Sequence, residues 1–252
     1  MMFSFYSKLS TEVYDIDKPI GHSFGDVAFY KERLKNLKGR ILEPAVGTGR
    51  ILIPLLEAGL IVDGIDVSKE MLDLCRAYCK ERGLNPELYE KSMESFSLPH
   101  QYEAIIVPTG SFLLLENRED SISALKCFYE HLSVGGRLIL DIFMQTDFRT
   151  GVTSTRTWNT GTGDLITLNE TLVEIDFINQ YTISHMRYEK WRNKGLIQTE
   201  LERFPLRWYG VEEFKLILET IGFSDIIISS DYRYGEYPTN ENQIITFEAY
   251  RK

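Results

Sequence analysis

One short segment near residue 45 constrains the fold of this chain more than any other. An apolar run ending at Leu42 is followed by Glu43, by a loop with glycines at 47 and 49, and by an amphipathic segment. This order is typical of a strand, a tight turn and a helix, and glycines let a ligand approach the backbone closely. Asp66 ends the next apolar run, where a carboxylate can accept hydrogen bonds from both ribose hydroxyls. The two features together predict a nucleoside ligand across the strand ends.

The loop lacks the features of a phosphate site. A dinucleotide fingerprint would place a third glycine at position 52, which is Leu52, and no Gly-Lys-Ser/Thr phosphate loop follows. Glu43 would repel a pyrophosphate and attract a cationic amine. S-adenosylmethionine carries ribose, adenine, a sulfonium and an ammonium group but no phosphate, so the charge pattern favours it. An NAD-dependent oxidoreductase is an alternative that Leu52 weakens.

With its Glu-Pro-Ala-Val-Gly-Thr-Gly-Arg loop at 43–50, the chain resembles the class I S-adenosylmethionine-dependent methyltransferases. It is similar to the small-molecule branch with an antiparallel lid, which includes sugar N-methyltransferases and glycine N-methyltransferase. The resemblance covers nearly the whole chain, but its specific motifs lie in the first half. Ala45 stands where the family usually has glycine.

The resemblance and the charge pattern together assign cofactor contacts. Glu43 is expected to hold the methionine ammonium, directly or through water, and Asp66 the ribose. Either Ser92 or Glu94 takes the place of the acidic residue that usually contacts the adenine amino group, or a backbone carbonyl does so, and the Met93 N–H is a partner for adenine N1. The full predicted set is Glu43, Ala45, Gly47, Gly49, Arg50, Asp66, Val67, Met71, Ser92, Met93, Glu94, Pro108 and Thr109.

Three residues, Ser111, His185 and Tyr14, are the catalytic candidates. Ser111 lies in a Pro-x-x-Ser-Phe pattern that the resembling branch often shows, and the Asn/Asp-Pro-Pro-Tyr/Phe motif of amide and nucleobase N-methyltransferases is absent. His185, in the predicted lid, is a candidate general base, with a strand surface position as its alternative. Tyr14, like Tyr6, is a candidate for closing over the cofactor. For Ser111, a purely structural loop role is the equal alternative.

Composition excludes several other classes. A net charge of −9 disfavours nucleic acid, whose recognition depends on Lys and Arg at phosphates. No apolar run approaches the roughly 20 residues that span a bilayer, and no signal peptide is visible, so a soluble, cytoplasmic protein is expected. The three cysteines lack further ligands at metal spacing and are interpreted as reduced packing thiols, so no metal site is predicted.

Strands alternate with helices up to about residue 150, which predicts an α/β fold with a doubly wound sheet. The resemblance implies seven mostly parallel strands, Rossmann-like, with an inserted antiparallel β lid. The predicted core is residues 1–150 and 209–252, including an N-terminal arm, and the predicted lid is residues 151–208. Residues 1–24 are interpreted as mobile.

We therefore predict a methyltransferase that transfers the methyl group in line to an N, O or C nucleophile of a small molecule. The acidic lid slightly favours a cationic or neutral acceptor. The alternative is a non-catalytic protein that binds S-adenosylmethionine. The sequence determines neither the acceptor, nor the atom methylated, nor the need for a general base, nor the oligomeric state, for which a homodimer is one option.

Overall fold

The computed structural model describes residues 6–252, which form two β-sheets and six α-helices. In chain order the elements are α1 (Lys8–Asp17), α2 (Asp26–Leu34), β1 (Arg40–Pro44), α3 (Leu52–Glu57), β2 (Ile61–Asp66), α4 (Lys69–Glu81), β3 (Leu88–Glu90), β4 (Tyr102–Val107), a 3₁₀ segment (Pro108–Leu114), α5 (Arg118–His131), β5 (Leu132–Phe143), β6 (Thr153–Asn159), β7 (Leu165–Asp176), β8 (Tyr181–Arg192), β9 (Gly195–Arg207), α6 (Val211–Ile221), β10 (Phe223–Ser230) and β11 (Ile244–Arg251).

The larger sheet has seven strands in the order β10-β11-β5-β4-β1-β2-β3. Strands β1 to β5 are parallel, and β11 is antiparallel to both of its neighbours. The predicted doubly wound, mostly parallel sheet is thus confirmed, and β10 and β11 close it as an antiparallel pair. Because parallel strands end at one edge, the carboxyl ends of β1, β2, β3 and β4 lie side by side, as in other open α/β sheets that bind ligands there.

The smaller sheet is an antiparallel meander, β6-β7-β8-β9, inserted between β5 and α6. A two-residue turn joins β8 to β9, and both of its residues, Asn193 and Lys194, have positive φ (49° and 65°). Such a turn matches the twist of the paired strands, which explains why a hairpin forms there. We call this four-stranded sheet the lid. That residues 151–208 form a separate domain stays a prediction.

The N-terminal region is more ordered than predicted. Lys8–Asp17 forms helix α1, and Leu9 and Val13, one turn apart, are buried against Met186 and Tyr188 of the lid. This apolar pair gives the helix a face to bury, so the interpretation of residues 1–24 as mobile is wrong for α1. Residues 1–5 lie outside the described part of the chain.

The residue pattern predicts a helix from about Gly49, with Pro54 in or near its first turn, and another from Asp26 to Lys38, and one boundary of each differs in the structure. Helix α3 begins at Leu52 rather than near Gly49, because Gly49 has a φ of 88° and cannot belong to an α-helix. Pro54 lies in its first turn, as expected. Helix α2 ends at Leu34 rather than Lys38. None of the described helices is both long and apolar enough to span a membrane.

Candidate active site

A cavity of about 370 Å³ opens at the carboxyl edge of the larger sheet. This volume is within the range of roughly 300–1,000 Å³ of small-molecule sites. The cavity combines residues from the loops after β1, β2, β3 and β4 with two from the N-terminal region. Its lining is Tyr6, Tyr14, Ala45, Gly47, Asp66, Val67, Met71, Lys91, Ser92, Met93, Glu94, Ser111, Leu114 and Leu115.

The β1 loop provides part of this lining with a strained backbone. Ala45 and Gly47 both have positive φ, 55° and 56°. The left-handed conformation costs an L-residue about 1–2 kcal/mol, which explains why a glycine is the usual residue at the position of Ala45. The loop is tied to β2 by the bond from Val46 N to Ile65 O, 3.0 Å long. It therefore presents its backbone to the cavity at a small cost in stability.

Asp66 is held by backbone donors and still has free lone pairs. Its Oδ2 accepts from Gly47 N at 2.8 Å and its Oδ1 from Ser68 N at 2.9 Å. Burial raises the pKa of Asp66, and these backbone N–H groups act in the opposite direction. Each carboxylate oxygen has a second lone pair, so both can also accept from the vicinal hydroxyls of a ribose.

Glu43 lies two residues before the cavity-lining Ala45 and does not itself line the cavity. The residue is 3% exposed, and its Oε2 has no hydrogen-bond partner among the described residues. Burial raises the pKa of Glu43 well above its usual value, although the charge of Arg50 opposes this. An unpartnered buried carboxylate is costly, and a cationic ligand group would relieve that cost. Glu43, the free lone pairs of Asp66 and the cavity together fit a cationic, phosphate-free nucleoside such as S-adenosylmethionine.

The structure does not bring two of the predicted cofactor residues, Gly49 and Arg50, to the cavity. Arg50 forms a buried ion pair with Asp26, Nη2 to Oδ2 at 2.6 Å, and donates to the His22 carbonyl. A Cβ on Gly49 would lie 2.8 Å from Cys75 Sγ, so glycine is required there by packing against α4. Both residues therefore support the conformation of the loop without lining the cavity. The three cysteines are free and buried, and the described residues contain no cluster that could hold a metal ion.

The residues predicted for the adenine side lie together at the cavity, and their contact with adenine stays a prediction. Ser92, Met93 and Glu94 all line the cavity, together with Val67 and Met71 from the start of α4. Lys91, which the sequence reasoning missed, joins them because its N–H bonds Asp66 O at 3.0 Å. Its position directly before Ser92, at the end of a strand, could have indicated from the sequence that Lys91 lies at the cavity.

The loop after β4 provides the remaining wall. Ser111 lines the cavity, and its Oγ donates to the Pro108 carbonyl at 3.2 Å. Leu114 and Leu115, which were not predicted, lie beside it. Pro108 and Thr109 do not line the cavity, because Pro108 is buried and the Thr109 N–H points to Asp141. We call Ser111, Leu114 and Leu115 the acceptor wall.

Two tyrosines close the cavity from the N-terminal side. The rings of Tyr6 and Tyr14 are 6.0 Å apart and perpendicular, and Ser68 Oγ donates to the Tyr6 carbonyl at 2.7 Å. Burial raises the pKa of both phenols, so they stay neutral near pH 7 and can donate or accept hydrogen bonds. Tyr14, a predicted candidate, is thus at the cavity.

His185 is not at the cavity, although the sequence made it a candidate base. Side chains alternate along a strand, and the neighbouring Met186 and Tyr188 face α1 on one side of the lid. His185, next to Met186 on β8, is therefore on the opposite, exposed side. The sequence alone does not determine which face of β8 is covered by another element, here helix α1.

Comparison with known proteins agrees with this geometry. Residues 41–136 match the family model described as a methyltransferase domain. The chain is 28% identical over 201 residues to the glycine/sarcosine N-methyltransferase of Aphanothece halophytica, covering 77% of this chain and 69% of that protein. It is 26% identical over 172 residues to the cypemycin N-terminal methyltransferase of a Streptomyces species, covering 67% and 69%. The sugar N-methyltransferase KedS8 of a Streptoalloteichus species has a similar fold, with a TM-score of 0.73, 21% identity and coverage of 100% and 98%.

The sheet order, the cavity and these matches define the class of protein. Residues 41–136 are a methyltransferase domain, and the chain has the fold of the class I S-adenosylmethionine-dependent methyltransferases. Its cofactor is S-adenosylmethionine, and the predicted family and cofactor are confirmed.

Proposed function

We propose that this enzyme methylates the nitrogen of a small amine. The observation that carries the proposal is the composition of the cavity, which has two neutral phenols and an acceptor wall of two leucines and one serine, but no histidine among its described lining residues. The same cavity of about 370 Å³ must hold part of the cofactor as well as the acceptor. The acceptor is therefore a small molecule.

The absence of a histidine among those lining residues favours nitrogen over oxygen as the nucleophile. A hydroxyl group must lose its proton as it attacks, which a positioned general base assists by about 10²–10⁴. An amine needs only a neutral lone pair. Tyr6 and Tyr14, with raised pKa values, are placed to orient such an amine by hydrogen bonds rather than to remove a proton.

The local charge attracts an amine that arrives as an ammonium ion, which releases one proton to solvent before its lone pair attacks the methyl carbon. Asp66 and Glu94 line the cavity, against a single cationic side chain, Lys91, among the described lining residues. Opposite charges attract over several ångströms where water is partly excluded. The similar proteins named above include a glycine/sarcosine and a sugar N-methyltransferase, whose names specify nitrogen as the methylated atom.

Catalysis would then depend mainly on alignment. The bound cofactor supplies a methyl group activated by its sulfonium, and the protein holds the amine in line with it. Positioning of this kind can contribute about 7–11 kcal/mol to lowering the barrier. In this chain Asp66 and the β1 loop position the cofactor side, the acceptor wall limits the amine, and the two tyrosines exclude water.

The proposal is tested by measuring S-adenosylhomocysteine release with a panel of small amines and matched alcohols. The panel contains glycine, sarcosine, ethanolamine and amino sugars, each paired with its hydroxyl analogue. We expect turnover with at least one amine and none with its paired alcohol, and mass spectrometry should place the methyl group on nitrogen. Turnover of the alcohols alone would contradict the proposal. Binding of S-adenosylmethionine with no product from any member would favour the non-catalytic alternative.

A further inference from the structure

Asp141 is a buried carboxylate that plays no part in the mechanism described above. It lies on β5 with a side chain that is 0% exposed. Its Oδ2 accepts from Thr109 N at 2.8 Å and from the Tyr232 hydroxyl at 3.1 Å, and its Oδ1 accepts from Thr246 Oγ1 at 2.7 Å. These three donors are uncharged. Burying a carboxylate among uncharged donors costs free energy. A role of Asp141 in the loop that it contacts would account for this cost.

The bond to Thr109 holds an unusual turn. Thr109 and Gly110, one residue beyond the end of β4, have φ values of 54° and 75°, two left-handed residues in succession. The left-handed region is strongly disfavoured for a β-branched residue such as threonine. Phe143 packs so closely on Gly110 that a Cβ there would lie 2.4 Å from its Cε1. Asp141 and Phe143 are two residues apart on β5 and therefore act on the turn from the same face.

The turn leads directly into the acceptor wall. Ser111 and Leu114 follow it in the same 3₁₀ segment, Leu115 comes directly after that segment, and all three line the cavity, whereas Gly47 and Asp66 reach the cavity from β1 and β2. We propose that Asp141 is a positioning residue for methyl transfer: by accepting the Thr109 N–H it fixes the acceptor wall and leaves the cofactor side unaffected. This inference rests on the proposed function for its catalytic consequence, but its structural part does not.

The turn needs an oxygen acceptor rather than a negative charge. Burial raises the pKa of Asp141 to about 6, although the surrounding donors act to lower it. The titratable groups that face it are Tyr30 on α2 and Tyr232 after β10, and burial raises the pKa of both, so they stay neutral. The Asp26–Arg50 ion pair lies beyond these tyrosines. Whether ionised or protonated, Asp141 keeps an oxygen that can accept from Thr109 N, and an asparagine would keep one too.

The test compares Asp141→Ala with Asp141→Asn and with Thr246→Val. The last variant removes a different hydrogen bond to the same carboxylate and does not touch the loop. Hydrogen exchange of the peptide covering residues 108–115 is measured together with calorimetric affinity for S-adenosylhomocysteine. In Asp141→Ala we expect exchange at least about 10-fold faster in this peptide, with the affinity within about threefold of the wild type. The other two variants should stay near wild type in both measurements.

The same variants are then assayed with the amine that is turned over best. A loosened acceptor wall should lower kcat/KM for the amine by about 10–100-fold in Asp141→Ala, and Asp141→Asn should restore most of it. If no amine is turned over, the proposed function fails, while exchange and affinity still decide the role of Asp141. Asp141→Leu, which keeps the buried volume, replaces the alanine variant if that one does not fold.

Three results would overturn the role of Asp141: unchanged exchange in the alanine or leucine variant, equal effects in Thr246→Val, or an asparagine variant that behaves like the alanine variant. A loss of S-adenosylhomocysteine affinity that matches the loss of loop protection would also overturn it, because the effect would then be structural and general.

Discussion

Single residues around the cavity show how burial and hydrogen bonding compete at a carboxylate. Asp66 and Glu43 are both nearly inaccessible, at 8% and 3% exposure, and burial raises the pKa of both. Asp66 is satisfied by two backbone N–H groups, whereas Glu43 has an oxygen without a partner in the described chain. Asp66 can thus accept further hydrogen bonds, and Glu43 can pair with a cationic group of the cofactor. Each difference leads to a prediction.

Replacing Asp66 with alanine should weaken S-adenosylmethionine binding by at least about 10-fold. A hydrogen bond to a charged group contributes about 1.5–3 kcal/mol, and the variant loses those to the ribose as well as those that hold the β1 loop. Calorimetric titration measures the change. Asp73→Ala, which removes the same charge from an exposed position on α4, is the control and should bind normally. Equal affinities in the two variants would remove Asp66 from the site.

The affinity for S-adenosylmethionine should depend on pH through Glu43. Burial favours the protonated form of Glu43 in the free protein, and the cofactor's ammonium favours the ionised form, so binding releases a proton. Affinity should therefore rise with pH while Glu43 is protonated in the free enzyme, and Glu43→Gln should lose this rise. The difference in slope between the two proteins isolates Glu43 from the titration of the cofactor itself. Titration in two buffers of different ionisation enthalpy counts the proton, and identical slopes would refute the assignment.

At the scale of whole elements, helix α1 depends on the lid for its N-terminal cap. Ser7 precedes the helix but makes no side-chain cap within it. Instead Glu202 Oε1 accepts from Ser7 N at 2.9 Å and from Ser10 Oγ at 2.6 Å, and Glu200 Oε2 accepts from Leu9 N at 2.7 Å. Carboxylates stabilise a helix N-terminus because its free N–H groups are partially positive. Since α1 carries Tyr14, the lid acts on the cavity through this helix.

The double variant Glu200→Gln and Glu202→Gln should loosen α1 without unfolding the core. Capping interactions contribute about 0.5–2 kcal/mol, so hydrogen exchange across residues 8–17 should become about 3–30-fold faster. The affinity for S-adenosylmethionine should fall with it, because Tyr14 is released from the cavity. Glu189→Gln is the matched control, since this lid carboxylate lies on the strand face that also carries His185 and pairs with Arg187. Unchanged exchange in α1 would show that its cap is unimportant.

At the scale of the whole molecule, Asp141 joins parts of the chain that are far apart in sequence. It connects the loop after β4, strand β11 through Thr246, and the turn at Tyr232. Burial without a paired cation raises its pKa from 3.8 to about 6. The raised pKa means that folding favours the protonated form. Its contribution to stability is therefore fully present below the unfolded pKa of about 3.9 and is lost as the pH rises through about 6.

Asp141→Asn should accordingly gain stability relative to the wild type as the pH rises. A shift of this size corresponds to about 3 kcal/mol between the two limits, since each pKa unit is worth about 1.4 kcal/mol. Urea unfolding of both proteins at about pH 4 and about pH 8 measures the difference in the free energy of unfolding. Asp147→Asn, at an exposed site, should not show this rise. A difference that is constant with pH would mean that Asp141 titrates normally.

Much of the fold and the cofactor side of the site could be predicted from the sequence, because they depend on local order along the chain. The β1 loop follows its strand directly, Asp66 ends β2, and residues 92–94 come just after β3. Parallel strands bring their carboxyl ends together in any fold of this class. Ser68 caps α4 through a bond to Met71 N that spans three residues, so this helix start was also readable.

Only the tertiary structure decided the features that depend on distant partners. Helix α1 is ordered by carboxylates about 190 residues away, Arg50 is taken from the cavity by Asp26, and His185 faces outward because α1 covers the other side of the lid. The sequence by itself determined the class of fold and the kind of cofactor, since strand order and charge pattern are local. Which polar groups reach the cavity was decided by long-range packing, because burial and hydrogen-bond pairing depend on what the rest of the chain places beside them.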